Sequence, residues 1–419
     1  RSEISFQQND IKDLSKISNL FLPIVINKQI NKIFSKGTLE GQFIIPFDAN
    51  GSIGKDYAFS GKITNGLINL TKELKIKNLT TEIKHIKNFS NNEFKIKIKK
   101  GSIYNLNLTD TVINLKKNRK KTHVTSNLIT DGSITLSEVK KISSLTGTNI
   151  NFLKDIKGLI NLKTDVSLSL NKFFQPKNIS YSSEGTIRNL EIMLVENKKI
   201  SKYLSDYNSK LSLKDTNIKL VNSKSNSTLD VSGFFKIKDK FDDFKFKRIY
   251  SFKNKSSKVD GFVNLTQNNI TIPNINYKKS NGIKSKISFD VSFVANKNYN
   301  INDLKYVEGN SKILLKKLKL NKKYEIDNFS KIEIITLNKG IINNSLIINK
   351  DKAVIVKGKI LDASSFLKSL YEVNDKKIIS EKFNTEVMIN LDKAITGTND
   401  DVLNFSMIAT IKNGSYDKL

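Results

Sequence analysis

Residues 158–170 read GLINLKTDVSLSL. After the opening glycine, Leu162, Val166, Leu168 and Leu170 fall on one side, joined by Thr164. Asn161, Lys163, Asp165, Ser167 and Ser169 fall on the other. Successive side chains of a strand point to opposite faces, so this period of two predicts a β-strand with one apolar and one wet face.

Working outward, the same pattern returns in other words. Upstream, GTLEGQFIIPFDANG (37–51) sets Phe43, Ile45 and Phe47 together and turns at Asn50-Gly51. GKITNGLINL (61–70) follows, then FKIKIKKGSIYNLNL (94–108), where Phe94, Ile96 and Ile98 oppose Lys95, Lys97 and Lys99. Downstream, STLDVSGFFKIKD (227–239) aligns Leu229, Val231, Phe235 and Ile237. NGIKSKISFDVSFVAN (281–296) sets Phe289, Val291 and Phe293 against Asp290 and Ser292. In DGFVNLTQNNITIPNINYKK (260–279) a turn is expected at Asn268-Asn269, with Pro273 near a strand end. SKILLKKLKL, KIEIITL, GIINNSLIIN, KAVIVKGKILD, EVMINLDKA and NFSMIATIKNG carry the texture to the end. Each run is short, rich in β-branched residues and bounded by Gly, Asn, Asp or Ser. Glycines near the starts of these runs are irregularly spaced, which excludes a strict short repeat and fits a meander in which each hairpin extends one sheet.

Helical spacing appears in three places. Residues 10–35 have Asp10 as an N-cap candidate, then Ile11, Leu14, Ile17 and Phe21; Pro23 should break the run, with a second helix over 24–34. Residues 136–157 place Leu136, Val139 and Ile142, then Leu153 and Ile156, as one or two short helices around Gly147. DASSFLKSLY (362–371) has Asp362 as cap and Phe366, Leu367 and Leu370 as its apolar side. The organisation expected is a helical lead-in (1–36), a first β segment (37–135), a helical insert (136–157), a second β segment (158–361), a short helix (362–372) and a further β segment (373–419).

Over 419 residues the net charge is +31, yet only four of the 71 basic residues are arginine: Arg1, Arg119, Arg188 and Arg248. Arginine is the residue favoured for bidentate phosphate and guanine contacts, so the balance argues against a dedicated nucleic-acid binder. Lysine that solvates outer faces and blunts strand edges, or meets an anionic membrane surface, accounts for the charge. There are no cysteines, hence no disulfide or thiolate metal site. No run reaches the ~18–20 apolar residues of a membrane span. The chain starts at Arg1 and stops after a strand-like run, and is read as a piece of a longer protein. His85 and His123 are the only histidines, both in Lys/Thr surroundings that suggest exposed positions. Asp242-Asp243 and Asp400-Asp401 are adjacent carboxylates, which on a strand face opposite ways; they read as turn residues rather than as an acid/base dyad or metal clamp. No nucleophile, phosphate-loop or zinc motif occurs, and neither an enzyme nor a metal or cofactor is expected.

A sheet with one apolar face must bury it, by pairing with a second sheet, by covering it with helices, or by curling into an open gutter that holds a ligand. Few helices and only four prolines favour the gutter; the alternation itself is equally satisfied by a filled sandwich. The fold expected is therefore mainly β, a long twisted antiparallel meander curled into an open hydrophobic groove. A strand of six to eight residues spans about 20–26 Å, enough for an acyl chain from one leaflet's ~15 Å share of the hydrocarbon core.

Several stretches taken in order resemble the AsmA-like superfamily, in particular its YhdP-type central region and C-terminal continuation. They are LFLPIVINKQINKIFSKGTLEGQFIIPF (20–47), FSGKITNGLINL (59–70), the run from Leu136 to Leu170, YSSEGTIRNLEIML (181–194), STLDVSGFFKIKD and VIVKGKILDASSFLKSLY (354–371). The family's usual tryptophans and arginines are absent or replaced by Ile, Phe and Lys. The resemblance implies a periplasmic segment of an inner-membrane-anchored protein that conducts phospholipid toward the outer membrane of a Gram-negative cell. Its partners would be phospholipid acyl chains, the two membranes and outer-membrane or periplasmic proteins. The expected lipid-facing residues are Leu162, Val166, Leu168, Leu170, Leu229, Val231, Phe235, Ile237, Phe289, Val291 and Phe293. The competing readings are an adhesin-like structural β-protein and a scaffold or regulator of outer-membrane assembly.

Overall fold

The computed structural model describes residues 2–13, 34–52, 56–69, 75–87, 92–118, 121–146, 149–171, 175–294, 297–371, 379–398 and 400–418. It is mainly β and does not close into a barrel. Contacts divide the chain into a first unit, residues 1–192 with 215–224, and a second, residues 193–214 with 225–419.

In the first unit the strands are β1 (Ser2–Asp10), β2 (Phe34–Ile45), β3 (Tyr57–Asn69), β4 (Lys75–Lys87), β5 (Asn92–Ile103), β6 (Leu106–Asn118), β7 (Lys121–Thr135) and β8 (Leu153–Leu170). Each pairs antiparallel with the next. β9 (Pro176–Leu194) and β10 (Lys210–Asn222) follow. The alternation of β8 is visible residue by residue: 160, 162, 164, 166 and 168 are half-buried, while 159, 161, 163, 165 and 167 are exposed.

In the second unit β11 (Asn226–Lys236), β12 (Asp242–Ser251), β13 (Ser256–Asn264), β16 (Ser285–Val294), β17 (Asn298–Glu308), β18 (Ser311–Leu320), β20 (Lys331–Asn338), β21 (Ile341–Lys350) and β22 (Val354–Asp362) pair antiparallel in that order. β19 (Ile326–Asn328) flanks β18. β23 (Thr385–Ile395), β24 (Val402–Lys412) and β25 (Ser415–Lys418) complete it.

Several expectations are corrected. The meander is not wholly antiparallel: β22 and β23 are parallel. A parallel pair needs a long crossover, and the helix α2 (Ser364–Tyr371) lies in it. The carboxylate of Asp362 accepts from the Ser364 backbone N–H at 3.2 Å, so its capping role is met from two residues upstream. The lead-in opens as strand β1, not helix; residues 11–13 are helical, with Asp10 accepting the Lys12 N–H at 2.8 Å, and 14–33 lie outside the described residues. The insert over 136–157 holds one helix, α1 (Leu136–Thr146), and Leu153 and Ile156 already belong to β8. Nor does every hairpin extend the main sheet. β14 (Ile270–Ile272) and β15 (Tyr277–Lys279), joined by a 3₁₀ turn at Pro273–Ile275, pair only with each other.

Gly309 and Gly340 lie in the turns that open β18 and β21, but most of the other glycines sit inside strands rather than at their starts. Gly158 is well within β8, on the side of Leu162; a Cβ there would lie 2.4 Å from the Asn189 carbonyl oxygen. Gly358 in β22 is alike, 2.4 Å from the Ser345 oxygen. A missing side chain at such points lets neighbouring backbones close on the apolar side, the device by which sheets coil.

Candidate functional site: two apolar sheet faces

Directly paired residues of neighbouring strands point to the same side, so the registers trace rows across each sheet. In the second unit the central row runs Val231, Phe246, Gly261, Phe289, Leu304 and Leu315. It continues through Ile332, Ile348, Val356, Ile389 and Met407. Apart from the glycine, every position in it is apolar, and most are half-buried rather than enclosed. Of the residues expected to face lipid, Leu229, Val231, Phe235, Phe289, Val291 and Phe293 share this face. Ile237 lies just past the end of β11.

In the first unit one row runs Phe59, His85, Phe94, Leu115, Val124 and Leu168. The next runs Gly61, Ile83, Ile96, Ile113, Ser126 and Val166. Leu162, Val166, Leu168 and Leu170 thus stand on one face with these, all half-buried. Toward the other strand ends the face is closed by Ile76, Leu79, Ile98 and Leu108, against which Ile68, Ile96, Ile103 and Ile113 pack.

His85 is not exposed as its surroundings suggested. It is 6% accessible and stacks on Phe94 with ring centroids 3.6 Å apart. Burial pulls its imidazole below the usual range, against a hydrogen bond to Asn92. The parity of Phe59, Ile83 and His85 across paired strands puts it on the apolar side, which a single segment cannot reveal. Nor is Asp242 a turn residue: it is buried at the start of β12, accepting from the Gln267 N–H and the Asn268 amide.

One end of the second unit's face is sealed by the segment that holds β14 and β15. Tyr277, wholly buried, shares a hydrogen bond with Tyr306 at 2.8 Å and donates to Glu308. Burial pushes both phenols up, Tyr306 to about 12. The Lys279 ammonium donates to the carbonyls of Leu265 and Asn268, each at 2.7 Å, and burial pulls its pKa down. Asn344 donates to Ile275 O and Thr336 Oγ1 and accepts from the Asp362 N–H. These contacts match the buried polar groups of Tyr277, Lys279 and Asn344, as burial requires.

The other end is different in kind. Its row runs Ser227, Tyr250, Ser257, Phe293, Tyr299 and Leu320. Tyr324, 56% accessible, stacks on Tyr299 at 4.9 Å. Between it and the central row lies Leu229, Arg248, Val259, Val291, Ile301 and Leu318. The arginine was legible in the sequence: in DFKFKRIY, Phe244, Phe246, Arg248 and Tyr250 alternate on one side.

The outer faces carry the lysines, some in pairs such as Lys258–Asp290 at 3.3 Å and Lys312–Glu333 at 2.7 Å. Among the described residues no group of histidine and carboxylate side chains is placed to hold a metal ion. No described helix is long and apolar enough to cross a membrane. Comparison with protein-family models, with curated proteins and with solved structures finds no match to this chain.

Proposed function

We propose that the chain is a non-enzymatic conduit for phospholipid, with acyl chains lying against the apolar faces of its sheets. The single observation that carries this reading is the uninterrupted central row of the second unit, from Val231 to Met407. Across eleven paired strands it presents no charged or polar side chain, and most of its members are only half-buried. Contiguous apolar surface of that extent marks an interaction site in a protein that meets water. Successive rows are two residues apart, roughly 7 Å, so three rows match the ~15 Å of one leaflet. The AsmA-like resemblance supports the same reading and adds the setting, a periplasmic segment tethered to the inner membrane and directed at the outer one.

A photo-crosslinking residue at Val166 or Val291 is expected to capture phospholipid in cells. One at Lys163 or Asp290, on the wet faces, is expected to capture none. Equal capture on both faces, or none at all, overturns the assignment.

A further inference from the structure

Resting on the lipid reading above, we infer that Arg248 is the phosphate-binding residue of the second unit and that lipid lies there in one orientation. The headgroup phosphate would be at the Tyr250–Tyr299 end, and the acyl ends would point toward the Tyr277 seal.

Arg248 stands on the apolar face, directly opposite Leu229 on one side and Val259 on the other. It is exposed, and no carboxylate pairs with it among the described residues. Its Nε donates to Ser257 Oγ at 3.2 Å and its guanidinium leans on the Tyr250 ring, 5.5 Å from the centroid. These two contacts fix the planar fork and leave its terminal nitrogens unoccupied by protein carboxylates. A guanidinium held in that way suits a phosphodiester, which it meets with paired charge-assisted hydrogen bonds.

The rows grade in polarity along the strands. Hydroxyls and amphipathic rings, Ser227, Tyr250, Tyr299 and Tyr324, mark one end, as aromatic side chains do at a membrane interface. The Arg248 row, the central row and the row of Phe244, Val263 and Ile287 follow. At the far end, Tyr277, Lys279 and Glu308 are already satisfied by one another or by backbone, and offer nothing to a headgroup. From Leu229 to Phe235 is six residues, roughly 20 Å. That accommodates the hydrocarbon of one leaflet's lipid, ~15 Å, between phosphate and seal.

The test loads the 419-residue chain with either phosphatidylglycerol or diacylglycerol of identical acyl chains, and reads the bound lipid by mass spectrometry and by crosslinking from Val291. Phosphatidylglycerol loading of the Arg248→Gln variant should fall about tenfold in the second unit. Diacylglycerol loading, and phospholipid capture from Val166 in the first unit, should not change. Arg248→Lys should restore part of the loss, and thermal melts should match wild type because the residue is exposed. Unchanged phosphatidylglycerol loading in Arg248→Gln overturns the phosphate role while leaving the conduit standing. Displacement of the lipid by millimolar inorganic phosphate overturns the lipid as its source. Failure of Val166 and Val291 alike to capture either lipid overturns the conduit and the phosphate role together.

Discussion

The two units use one alternation but finish their apolar faces by different chemistry. The first closes with aliphatic packing of Ile76, Leu79, Ile98 and Leu108. The second closes with a folded insert held by directional hydrogen bonds from Asn344, Lys279 and Tyr277. Aliphatic packing is non-directional and tolerates small shifts, whereas each buried polar contact demands its partner. The second seal is therefore located sharply, at one end of the strands, and leaves the rest of the face available.

The comparison breaks most directly at Leu79, which is fully buried. Leu79→Ala should cost the first unit about 2–5 kcal/mol. Hydrogen exchange should then quicken in β3–β6 and stay unchanged in β16–β21; joint loss would mean the units are not separately stabilised.

Alkaline pH should do the reverse. Unfolded tyrosine ionises near 10, but Tyr277 and Tyr306 hold their protons to higher pH when folded. Above pH ~10 the unfolded chain loses those protons first, so the stability they contribute falls as pH rises toward the folded value of Tyr306, about 12. For Tyr306 alone the loss should reach roughly 3 kcal/mol, confined to the second unit. Exchange profiles at pH 9 and 11 check this, and the Tyr277→Phe/Tyr306→Phe pair should flatten the difference.

Asn344→Ala removes three hydrogen bonds inside the seal. About 2 kcal/mol should be lost from the second unit, measured by local exchange at β20–β22. If capture at Val291 survives while the seal loosens, the open rows and the seal are energetically distinct.

The smallest effect belongs to α1. Thr135 and Glu138 make the carboxylate half of a capping box: the Thr135 N–H donates to the Glu138 carboxylate at 2.8 Å, and its hydroxyl does too. These bonds hold Glu138 below the ordinary carboxylate range. Its contribution is full above the unfolded value and disappears as pH falls through the folded one. Glu138→Gln should cost about 1 kcal/mol near neutrality, seen as exchange in α1 alone, and less in acid.

Much of this was readable in the chain because a strand writes its faces locally. The alternation in 158–170 correctly gave the sides of Leu162 to Leu170, and Phe289, Val291 and Phe293 fell on one face as expected. The Thr135-x-x-Glu138 signature marks the start of α1 more sharply than its apolar spacing does. SEISFQQND alternates weakly, so the place of β1 is set by its pairing with Phe43 and Gly41 on β2 rather than by its own pattern. Residues 270–279 carry ordinary strand signals, yet they pair as strands only with each other and otherwise bond to Tyr203, the 265–268 turn and residues of the main strands.

By itself the sequence determined that this protein is built of one-sided strands, since period two is fixed by backbone geometry within each segment. Only the tertiary structure decided which strands share a face, that one pair runs parallel, where a polar insert seals the apolar rows, and which residues of neighbouring strands stand beside Arg248. Those features depend on register and on contacts between residues far apart in the chain. Free energy is gained there only when partners meet, so no single stretch such as GLINLKTDVSLSL can encode it alone.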